Sequence, residues 1–206
     1  MKNIVIIGAG DLGKEIVWLI EDINKVAPTY LILGFLDDDV GKHGEEFYGY
    51  KVLGKVDRLE ELSVKRDISA VIAIQDGQTR REIVTNHPSF SRWETIIHPS
   101  AVVASSSTIG FGSVLFPQVT VSVDSRLGAF GLFYTHATVC NDCVLGDYVS
   151  VMCGASILEH ARIGAECFLA AGSCVYPHKM IGKRVKAAIE ATLTNNHEDG
   201  EEVEEK

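Results

Sequence analysis

A small set of polar residues in the second half of the chain has the side-chain types needed for proton transfer. Asp142, His160 and His178 recur at intervals of 18 residues, and His136 lies five residues before Asn141. A carboxylate beside an imidazole can orient a general base, whereas the amide of Asn141 cannot take up a proton near neutral pH. Asp142 and His160 can form such a pair only if the fold repeats every 18 residues. The same spacing also suits an exposed polar edge with no catalytic role.

A glycine-rich turn near the N-terminus has the spacing of a phosphate-binding loop. Gly8, Gly10 and Gly13 form a G-x-G-x-x-G pattern between an apolar strand and an amphipathic helix, where backbone N–H groups can cradle a phosphate. Asp37 or Asp38 ends the next strand and can accept a hydrogen bond from a ribose hydroxyl. A nucleoside diphosphate or nucleotide sugar fits better than NAD, because the sheet has room for one mononucleotide half only. Alternatively, the glycines only permit close packing of strand and helix.

An apolar residue occupies every sixth position over fifteen consecutive repeats. These positions are Ile97, Val103, Ile109, Leu115, Val121, Leu127, Phe133, Val139, Leu145, Val151, Ile157, Ile163, Leu169, Val175 and Ile181. The residue two places before each of them is mostly small. A period of six excludes an α-helix and predicts a parallel β-helix of hexapeptide repeats, a narrow solenoid in which each coil buries its inner face on the next.

Glycine recurs with a longer period of 18 residues, which indicates three hexads per coil. The glycines are Gly110, Gly128, Gly146, Gly164 and Gly182. We expect them at one corner of the coil, where the backbone can take a tight turn. Adjacent coils then lie about 4.8 Å apart, the usual spacing of strands, which puts Asp142 within reach of His160. Ala187 and Leu193 extend the pattern weakly into a last coil.

The first 90 residues follow a different pattern, in which strands alternate with helices. Strands are predicted at NIVII, YLILGFLDDD, ISAVIAIQDG and WETIIHP, helices at VDRLEEL and QTRREIVTNH as well as after the glycine turn, and a hairpin-like element at GYKVLG. This order predicts a parallel α/β sheet, the first half of a Rossmann fold. We therefore expect an α/β domain over residues 1–90, the β-helix over 91–196 and a disordered acidic tail over 197–206.

Composition and charge exclude several classes of protein. The chain has 206 residues, is 46% hydrophobic and carries a formal net charge of −9. Much of this charge lies in the final EDGEEVEEK, so the body is only mildly acidic and a nucleic-acid surface is not expected. No apolar run reaches the roughly 20 residues of a membrane span, and the N-terminus lacks a signal-peptide pattern. A cytoplasmic protein is the expectation.

The cysteines offer a metal or redox interpretation that the spacing supports only weakly. There are five, an odd number, and Cys140 and Cys143 form the sole C-x-x-C pair. A zinc site normally needs a second pair. Cys143 occupies the small inward position of its hexad, which favours burial as a small apolar residue. No metal site is predicted.

The order of these motifs resembles a family of bacterial sugar O- and N-acetyltransferases that includes sialic acid O-acetyltransferases. GAGDLG and FLDDD, followed by IHPSAVV and the hexads, carry the resemblance from residue 3 to about 185. It implies a left-handed β-helix, a homotrimer, and acetyl-CoA bound in the groove between neighbouring prisms. It also implies that the α/β domain holds the nucleotide of a nucleotide-linked sugar. The acetyl group would pass directly to the sugar as a histidine base removes a proton from the acceptor.

The residues that the resemblance assigns to the site match only in part. In the family segment N-T-x-x-x-V-x-H-[DE], the threonine and the acid match Thr135 and Asp142, but Tyr134 replaces the asparagine and Asn141 replaces the histidine. A second family histidine falls on Ser150. For the acetyl-CoA groove the resemblance implies Ser150, Gly154, Ala170, Gly172 and Ala188, and a family Gly-Ala-Gly stretch falls on Ala188–Glu190.

Two functions follow from this partial match. One is acetyl-CoA-dependent transfer to a nucleotide-linked sugar, with His160 or His136 acting beside Asp142 in place of the missing histidine. The other is a non-catalytic trimer that binds a nucleotide sugar or a partner protein. The trimer itself is expected because Phe111, Phe116 and Phe130 are predicted to be exposed on the flat faces of the prism, where a neighbour would cover them.

Overall fold

The computed structural model describes residues 1–204, which form two compact units. The first unit comprises residues 1–75 and 79–99, and the second comprises residues 76–78 and the chain from Ser100 onward. Among residues 1–204, no helix is long and apolar enough to cross a membrane. Each unit has its own pattern of secondary structure, and the two are described in turn.

The first unit is a small parallel sheet with helices, as the alternating pattern predicts. Its elements are β1 (Lys2–Ile7), α1 (Asp11–Val26), β2 (Tyr30–Leu36), β3 (Glu46–Phe47), β4 (Tyr50–Lys51), α2 (Arg58–Lys65), β5 (Ile68–Ile72) and α3 (Gly77–Asn86). The strand order β2-β1-β5 places β1 at the centre, where Ile4–Ile7 are fully buried. Strands β3 and β4 form an antiparallel hairpin.

The fourth strand predicted for this sheet is much shorter in the structure. Trp93 forms a single bridge with Ala70 of β5, and β6 (Ile96–Ile97) does not join the order β2-β1-β5. Trp93 instead packs edge-on against Phe90, with ring centroids 4.9 Å apart. The backbone of this segment still pairs with Ala70 through two hydrogen bonds, from Ala70 N to Arg92 O (3.0 Å) and from Glu94 N to Ala70 O (2.8 Å), so short strand pairing and aromatic packing bury it together.

The second unit is a β-helix, as the hexads predict, and it is left-handed, as the family resemblance implies, with about six turns. Its strands are β7 (Val102–Val103), β8 (Thr108–Ile109), β9 (Val114–Leu115), β10 (Thr120–Val121), β11 (Arg126–Leu127), β12 (Leu132–Phe133), β13 (Thr138–Val139), β14 (Val144–Leu145), β15 (Ser150–Val151), β16 (Ser156–Ile157), β17 (Arg162–Ile163), β18 (Phe168–Leu169), β19 (Cys174–Val175), β20 (Met180–Ile181), β21 (Lys186–Ala187), β22 (Thr192–Leu193) and β23 (Glu202–Val203). The three faces are the sheets β22-β19-β16-β13-β10-β7, β20-β17-β14-β11-β8 and β23-β21-β18-β15-β12-β9.

The 18-residue period is confirmed by the strand register. Thr120 pairs with Thr138, which pairs with Ser156, and the same offset holds on the other two faces. Residues 18 apart therefore stack along the axis of the solenoid. The inward hydroxyl of Ser125 is satisfied inside this stack, since it donates to Cys140 O (2.6 Å) and accepts from Cys143 N (3.0 Å).

The repeated glycines have a different role from the tight turn that their period predicts. None of the five has a positive φ; the left-handed positions come two residues later, as at Phe130 and Tyr148. A Cβ on Gly128 would lie 2.4 Å from the carbonyl carbon of Gly146 in the next coil. The glycines are required because successive coils approach each other closely at this corner, not because the chain needs an unusual dihedral angle there.

The acidic segment after residue 196 is partly ordered, unlike the disordered tail that its composition predicts. His197 forms a bridge with Ile181, and β23 pairs in parallel with β21. Charge alone predicts solvation, but the backbone of this segment closes the last coil through strand hydrogen bonds that do not depend on side-chain polarity. The last two residues of the predicted tail, 205 and 206, lie outside the described residues.

The exposed apolar residues of the prism also differ from the prediction. Phe111 is 60% exposed, but Phe116 and Phe130 are only 1% and 2% exposed. The ring of Phe116 stacks on Tyr134, with centroids 4.8 Å apart, and Phe130 stacks on Tyr148 at 5.1 Å. An 18-residue period places these aromatic residues directly above one another, so they bury each other. Val102, Val123, Tyr176, Met180 and Ile189 are exposed apolar residues in addition to Phe111.

Candidate active site

The glycine turn between β1 and α1 is built mainly by close packing. Gly8 has φ +107°, and a Cβ at this position would lie 2.7 Å from Ala73 O. A Cβ on Gly13 would lie 2.5 Å from Gly8 O. Gly10 is different: it is the N-cap of α1, has extended backbone, and a Cβ there would meet nothing within 4 Å. Packing therefore explains two of the three glycines, and Gly10 leaves the N-terminus of α1 open to an anion.

Asp37 holds the glycine turn to the end of β2. Its carboxylate accepts hydrogen bonds from Ala9 N (2.8 Å), Asp39 N (2.9 Å) and Lys42 Nζ (3.1 Å). Burial raises the pKa of Asp37, but these hydrogen bonds and the Lys42 charge outweigh burial, so the pKa lies below its ordinary value. The carboxylate is therefore ionised and already bound by the protein.

A cavity of about 320 Å³ lies at the carboxyl ends of β1 and β2. Gly8, Asp37 and Asp38 line it together with Glu82 of α3 and several apolar side chains, whereas Gly10 and Gly13 are not among its lining residues. Asp38 accepts a hydrogen bond from Val56 N (3.0 Å) through one carboxylate oxygen. Three carboxylates disfavour a phosphate inside the cavity but can accept hydrogen bonds from sugar hydroxyls.

The β-helix places the remaining site residues on two different corners. Residues at the corners have positive φ and repeat every 18 positions. We call one column the Asp142 corner; it consists of Asp124, Asp142, His160 and His178. We call another the His136 corner; it consists of Gln118, His136, Gly154, Gly172 and Glu190.

The Asp142 corner brings together three of the predicted catalytic residues. Asp142 Oδ2 accepts a hydrogen bond from Asn141 Nδ2 (2.8 Å) and lies 3.9 Å from His160 Nδ1. The rings of His160 and His178 stack nearly parallel, with centroids 4.7 Å apart. The side chains of Asp142 and His160 are 45% and 46% exposed, so both can reach a ligand.

The His136 corner carries most of the predicted acetyl-CoA residues. Gly154 and Gly172 are exposed with φ +67° and +69°, and His136 is exposed as well. No side-chain hydrogen bond or ion pair to His136 is found among residues 1–204. Ala170 and Ala188 stack just before this corner; Ala170 is 8% exposed and Ala188 more so. The structure thus separates His136 from Asp142.

Two substitutions relative to the family motif have a packing role. Ser150 is 1% exposed and lies in β15 between Leu132 and Phe168 of the neighbouring coils. Tyr134 is 9% exposed and stacks on Phe116. Within a single chain, Ser150 offers almost no surface to a cofactor.

Sequence reasoning missed a second imidazole–carboxylate pair in the C-terminal segment. His197 Nδ1 donates to Glu201 Oε2 (2.7 Å), and Glu201 Oε1 accepts from Glu198 N (3.0 Å). These contacts close a turn beside a groove of about 470 Å³ on the β14-β17-β20 face, which Arg162 also lines. The signal is the four-residue spacing of His197 and Glu201, in an acidic segment whose composition predicts disorder.

Of the five cysteines, Cys143 and Cys167 lie in the interior of the β-helix, whereas Cys153 is exposed. Cys143 is fully buried, as predicted, and its thiol donates to Leu158 O (3.1 Å). Burial raises the pKa of the Cys143 and Cys167 thiols to about 11. Within residues 1–204 no three His, Cys, Asp or Glu side chains are grouped to hold a metal ion. The C-x-x-C spacing thus arises because Cys143 occupies an inward position of the hexad repeat and Cys140 an outward one.

Comparison with known proteins places both units in one group of enzymes. The family model described as the PglD N-terminal domain matches residues 3–87. The acetyltransferase domain of PglB from Neisseria gonorrhoeae FA1090 is 30% identical, with a TM-score of 0.89; the match covers 99% of this chain and 97% of that one. None of the curated proteins matches the chain.

Two related solved structures contain ligands. The same PglB domain in complex with acetyl coenzyme A is 29% identical over 98% of this chain and 96% of that one, with a TM-score of 0.87. A histidine-to-asparagine mutant of perosamine N-acetyltransferase from Caulobacter crescentus, in complex with CoA and GDP-perosamine, is 26% identical over 99% and 94%, with a TM-score of 0.88. With an α/β unit followed by a hexapeptide-repeat β-helix and these full-length matches, the chain belongs to the bacterial sugar acetyltransferases.

Proposed function

We propose that the protein transfers an acetyl group from acetyl-CoA to an amine or hydroxyl of a nucleotide-linked sugar. The observation that carries this proposal is the match along nearly the whole chain to relatives crystallised with acetyl-CoA, or with CoA and GDP-perosamine. Neither unit alone provides a donor and an acceptor site, and the relatives share both units. The acceptor attacks the thioester directly, and the ternary complex supplies proximity and orientation.

The nucleotide side of the substrate is assigned to the first unit. The open N-terminus of α1 at Gly10 favours the diphosphate, while Asp38 in the 320 Å³ cavity accepts hydrogen bonds from the ribose. Gly8, Gly13 and Asp37 support this site by fixing the turn. A nucleoside diphosphate such as UDP or GDP satisfies both contacts, whereas NAD would need a second mononucleotide half that the three-stranded sheet lacks.

The nucleotide assignment is tested by calorimetry with UDP, GDP and NAD. Asp38→Ala should weaken binding of UDP or GDP by about tenfold, because a hydrogen bond to a charged group contributes about 1.5–3 kcal/mol. Asp57→Ala is the matched control, since the Asp57 side chain makes no cap hydrogen bond at the start of α2. Tight NAD binding without nucleoside diphosphate binding would overturn the assignment.

Acetyl-CoA is assigned to the His136 corner, with Gly154, Gly172, Ala170 and Ala188 along its path. Six residues at about 3.3 Å each separate neighbouring corners by roughly 15–20 Å. A site that uses this corner and the Asp142 corner together therefore needs a second copy of the chain. We propose a homotrimer in which the His136 corner of one prism faces the Asp142 corner of the next.

Asn141 supports a second function, a non-catalytic protein that binds a nucleotide sugar. An amide cannot accept the acceptor's proton, and loss of a general base typically lowers the rate by about 10²–10⁴-fold. The C. crescentus mutant with asparagine in place of histidine was crystallised with CoA and GDP-perosamine. Ligand binding is therefore compatible with such a substitution, and only turnover separates the two functions.

A further inference from the structure

We propose that His160 is the general base of the acetyl transfer and that Asp142 stabilises its charged form. The inference rests on the proposed function, because a base is needed only if the acceptor is deprotonated as it attacks. It moves the base by one coil, from position 141 to the residue stacked above Asp142. Asn141 then becomes a support for the aspartate and not a catalytic group.

The other histidines are less suited to this role. Three of them belong to the first unit. His43 donates a hydrogen bond from its ring to Asp37 O. His87 and His98 are largely buried: His87 is 6% exposed, and the His98 side chain is 12% exposed beside Asp22. In the second unit, the carboxylate that meets His197 is already used to close the turn through Glu198 N. His136 has no carboxylate partner among residues 1–204. Within the described part of the chain, His160 alone combines exposure with a carboxylate that faces one ring nitrogen.

The geometry leaves the second ring nitrogen of His160 for the substrate. Asp142 faces Nδ1 at 3.9 Å, which is too long for a hydrogen bond but close enough to stabilise an imidazolium. Catalytic hydrogen bonds are often long without substrate and tighten when it binds. Asn141 Nδ2 donates to the same oxygen of Asp142 and so fixes the carboxylate toward the histidine.

His178 fixes the plane of the His160 ring. The two rings stack at 4.7 Å with an angle of 8°, and both residues have the left-handed backbone of the corner. Packing of the two ring faces against each other restricts rotation of the His160 side chain. The column thus holds the ring from both sides, with Asp142 below and His178 above.

The transfer step balances with this single base. As the acceptor nitrogen or oxygen attacks the carbonyl carbon of acetyl-CoA, its proton passes to Nε2 of His160. The C–S bond then breaks with its electron pair on sulfur, and the CoA thiolate takes up a proton from the imidazolium or from water. The products are the acetylated sugar and CoA with a free thiol, and no oxidant, reductant or metal takes part.

Five variants test the proposal by release of free thiol from acetyl-CoA in the presence of nucleotide amino-sugars. His160→Asn keeps a residue type that tolerates the left-handed backbone, and it should lower kcat by about 10²–10⁴-fold while CoA affinity changes by less than about threefold. Adding Asn141→His to that variant should restore turnover, because the new imidazole lies against Asp142. Arg184→Asn, an exposed residue with the same left-handed backbone on the third corner, away from the Asp142 and His136 corners, is the matched control and should leave kcat unchanged.

The remaining outcomes overturn the inference in distinguishable ways. Equal turnover by wild type and His160→Asn, or a loss confined to His136→Asn, would remove His160 as the base and leave the proposed function intact. Turnover by Asn141→His but not by wild type would mean that only position 141 can hold the base. If no variant, including Asn141→His, released free thiol, both the proposed function and the inference would be wrong.

Discussion

At the scale of single residues, the side chain at position 141 determines how Asp142 is used. An asparagine there donates a hydrogen bond to the carboxylate (2.8 Å) and takes no part in base catalysis. A histidine at the same position would instead place an imidazole against that carboxylate. The same aspartate can therefore serve a base at position 141 or at position 160, and we propose that this chain uses the second.

We expect Asn141→His to raise the rate of acetyl transfer. The hexad register through Val139 and Leu145 is unbroken, so the new side chain should point where the amide points now. A gain in kcat/KM of up to about 10²-fold is expected from an added base. The rate should be measured with saturating and limiting acetyl-CoA. A slower or unchanged variant would contradict the idea that position 141 faces the reacting groups.

Asp37 gives a pH-dependent prediction for the stability of the first unit. Its pKa is held below the ordinary value in the folded chain, so its stabilisation is present at neutral pH and is lost as the pH falls through the folded pKa. Asp37→Ala should lower the free energy of unfolding by about 1–3 kcal/mol at pH 7, and the difference should shrink in acid. Denaturant unfolding at both pH values measures this. A difference that stays constant would mean that packing, not charge, is responsible.

At the scale of elements, the corner glycines explain how the coils come close enough to pair. The Cβ that alanine would add at Gly146 lies 2.6 Å from Ala165 N in the next coil, with no flexible side chain to yield. The corner that follows has the opposite property, because its left-handed positions carry full side chains such as Tyr148 and Glu166. Within each of these hexads, the glycine position allows the coils to approach closely, and a different position, two residues later, has the left-handed backbone.

Gly146→Ala should destabilise the β-helix by about 1–3 kcal/mol, because the coils must separate locally to accommodate the methyl group. Gly154→Asn is the matched control: a Cβ there meets nothing within 4 Å, and asparagine tolerates its left-handed backbone. Thermal unfolding of the two variants gives the comparison. The close-approach explanation fails if the control loses as much stability as Gly146→Ala.

Much of this architecture is predictable from the sequence, because the regular spacing of apolar residues shows which side chains are buried. The six-residue period fixed the coils and the 18-residue period placed Asp142 beside His160. Three features were not predictable: the reason for the glycines, the burial of Phe116 and Phe130, and the ordered turn at His197. Each depends on contacts between neighbouring coils or on backbone pairing, which composition and side-chain pattern do not report.

At the scale of the whole molecule, the proposed site needs residues from more than one copy of the chain. The residues assigned to acetyl-CoA and those assigned to proton transfer lie on different corners of one chain, and exposed apolar residues such as Phe111, Met180 and Ile189 remain on its surface. Burial of such residues at about 25 cal/mol per Å² favours association. In the proposed trimer, each chain would contribute half of the residues to each of two sites.

We predict a homotrimer in solution. Light scattering at micromolar concentration should give about three times the 22.4 kDa mass of the chain. Mixing His160→Asn with a variant damaged at the His136 corner, such as Gly172→Phe, should restore part of the activity, because mixed trimers contain some intact interfaces. A monomeric mass would contradict both the assembly and the shared site.

The central claim is that this chain catalyses acetyl transfer although asparagine occupies position 141. The most direct measurement incubates the wild-type protein with acetyl-CoA and a panel of nucleotide amino-sugars and follows free thiol, with each substrate omitted in turn. The account predicts thiol release above background that requires both acetyl-CoA and one nucleotide sugar and that falls by about 10²-fold or more in His160→Asn. Binding of a nucleotide sugar without any thiol release, in wild type and in Asn141→His alike, would contradict it.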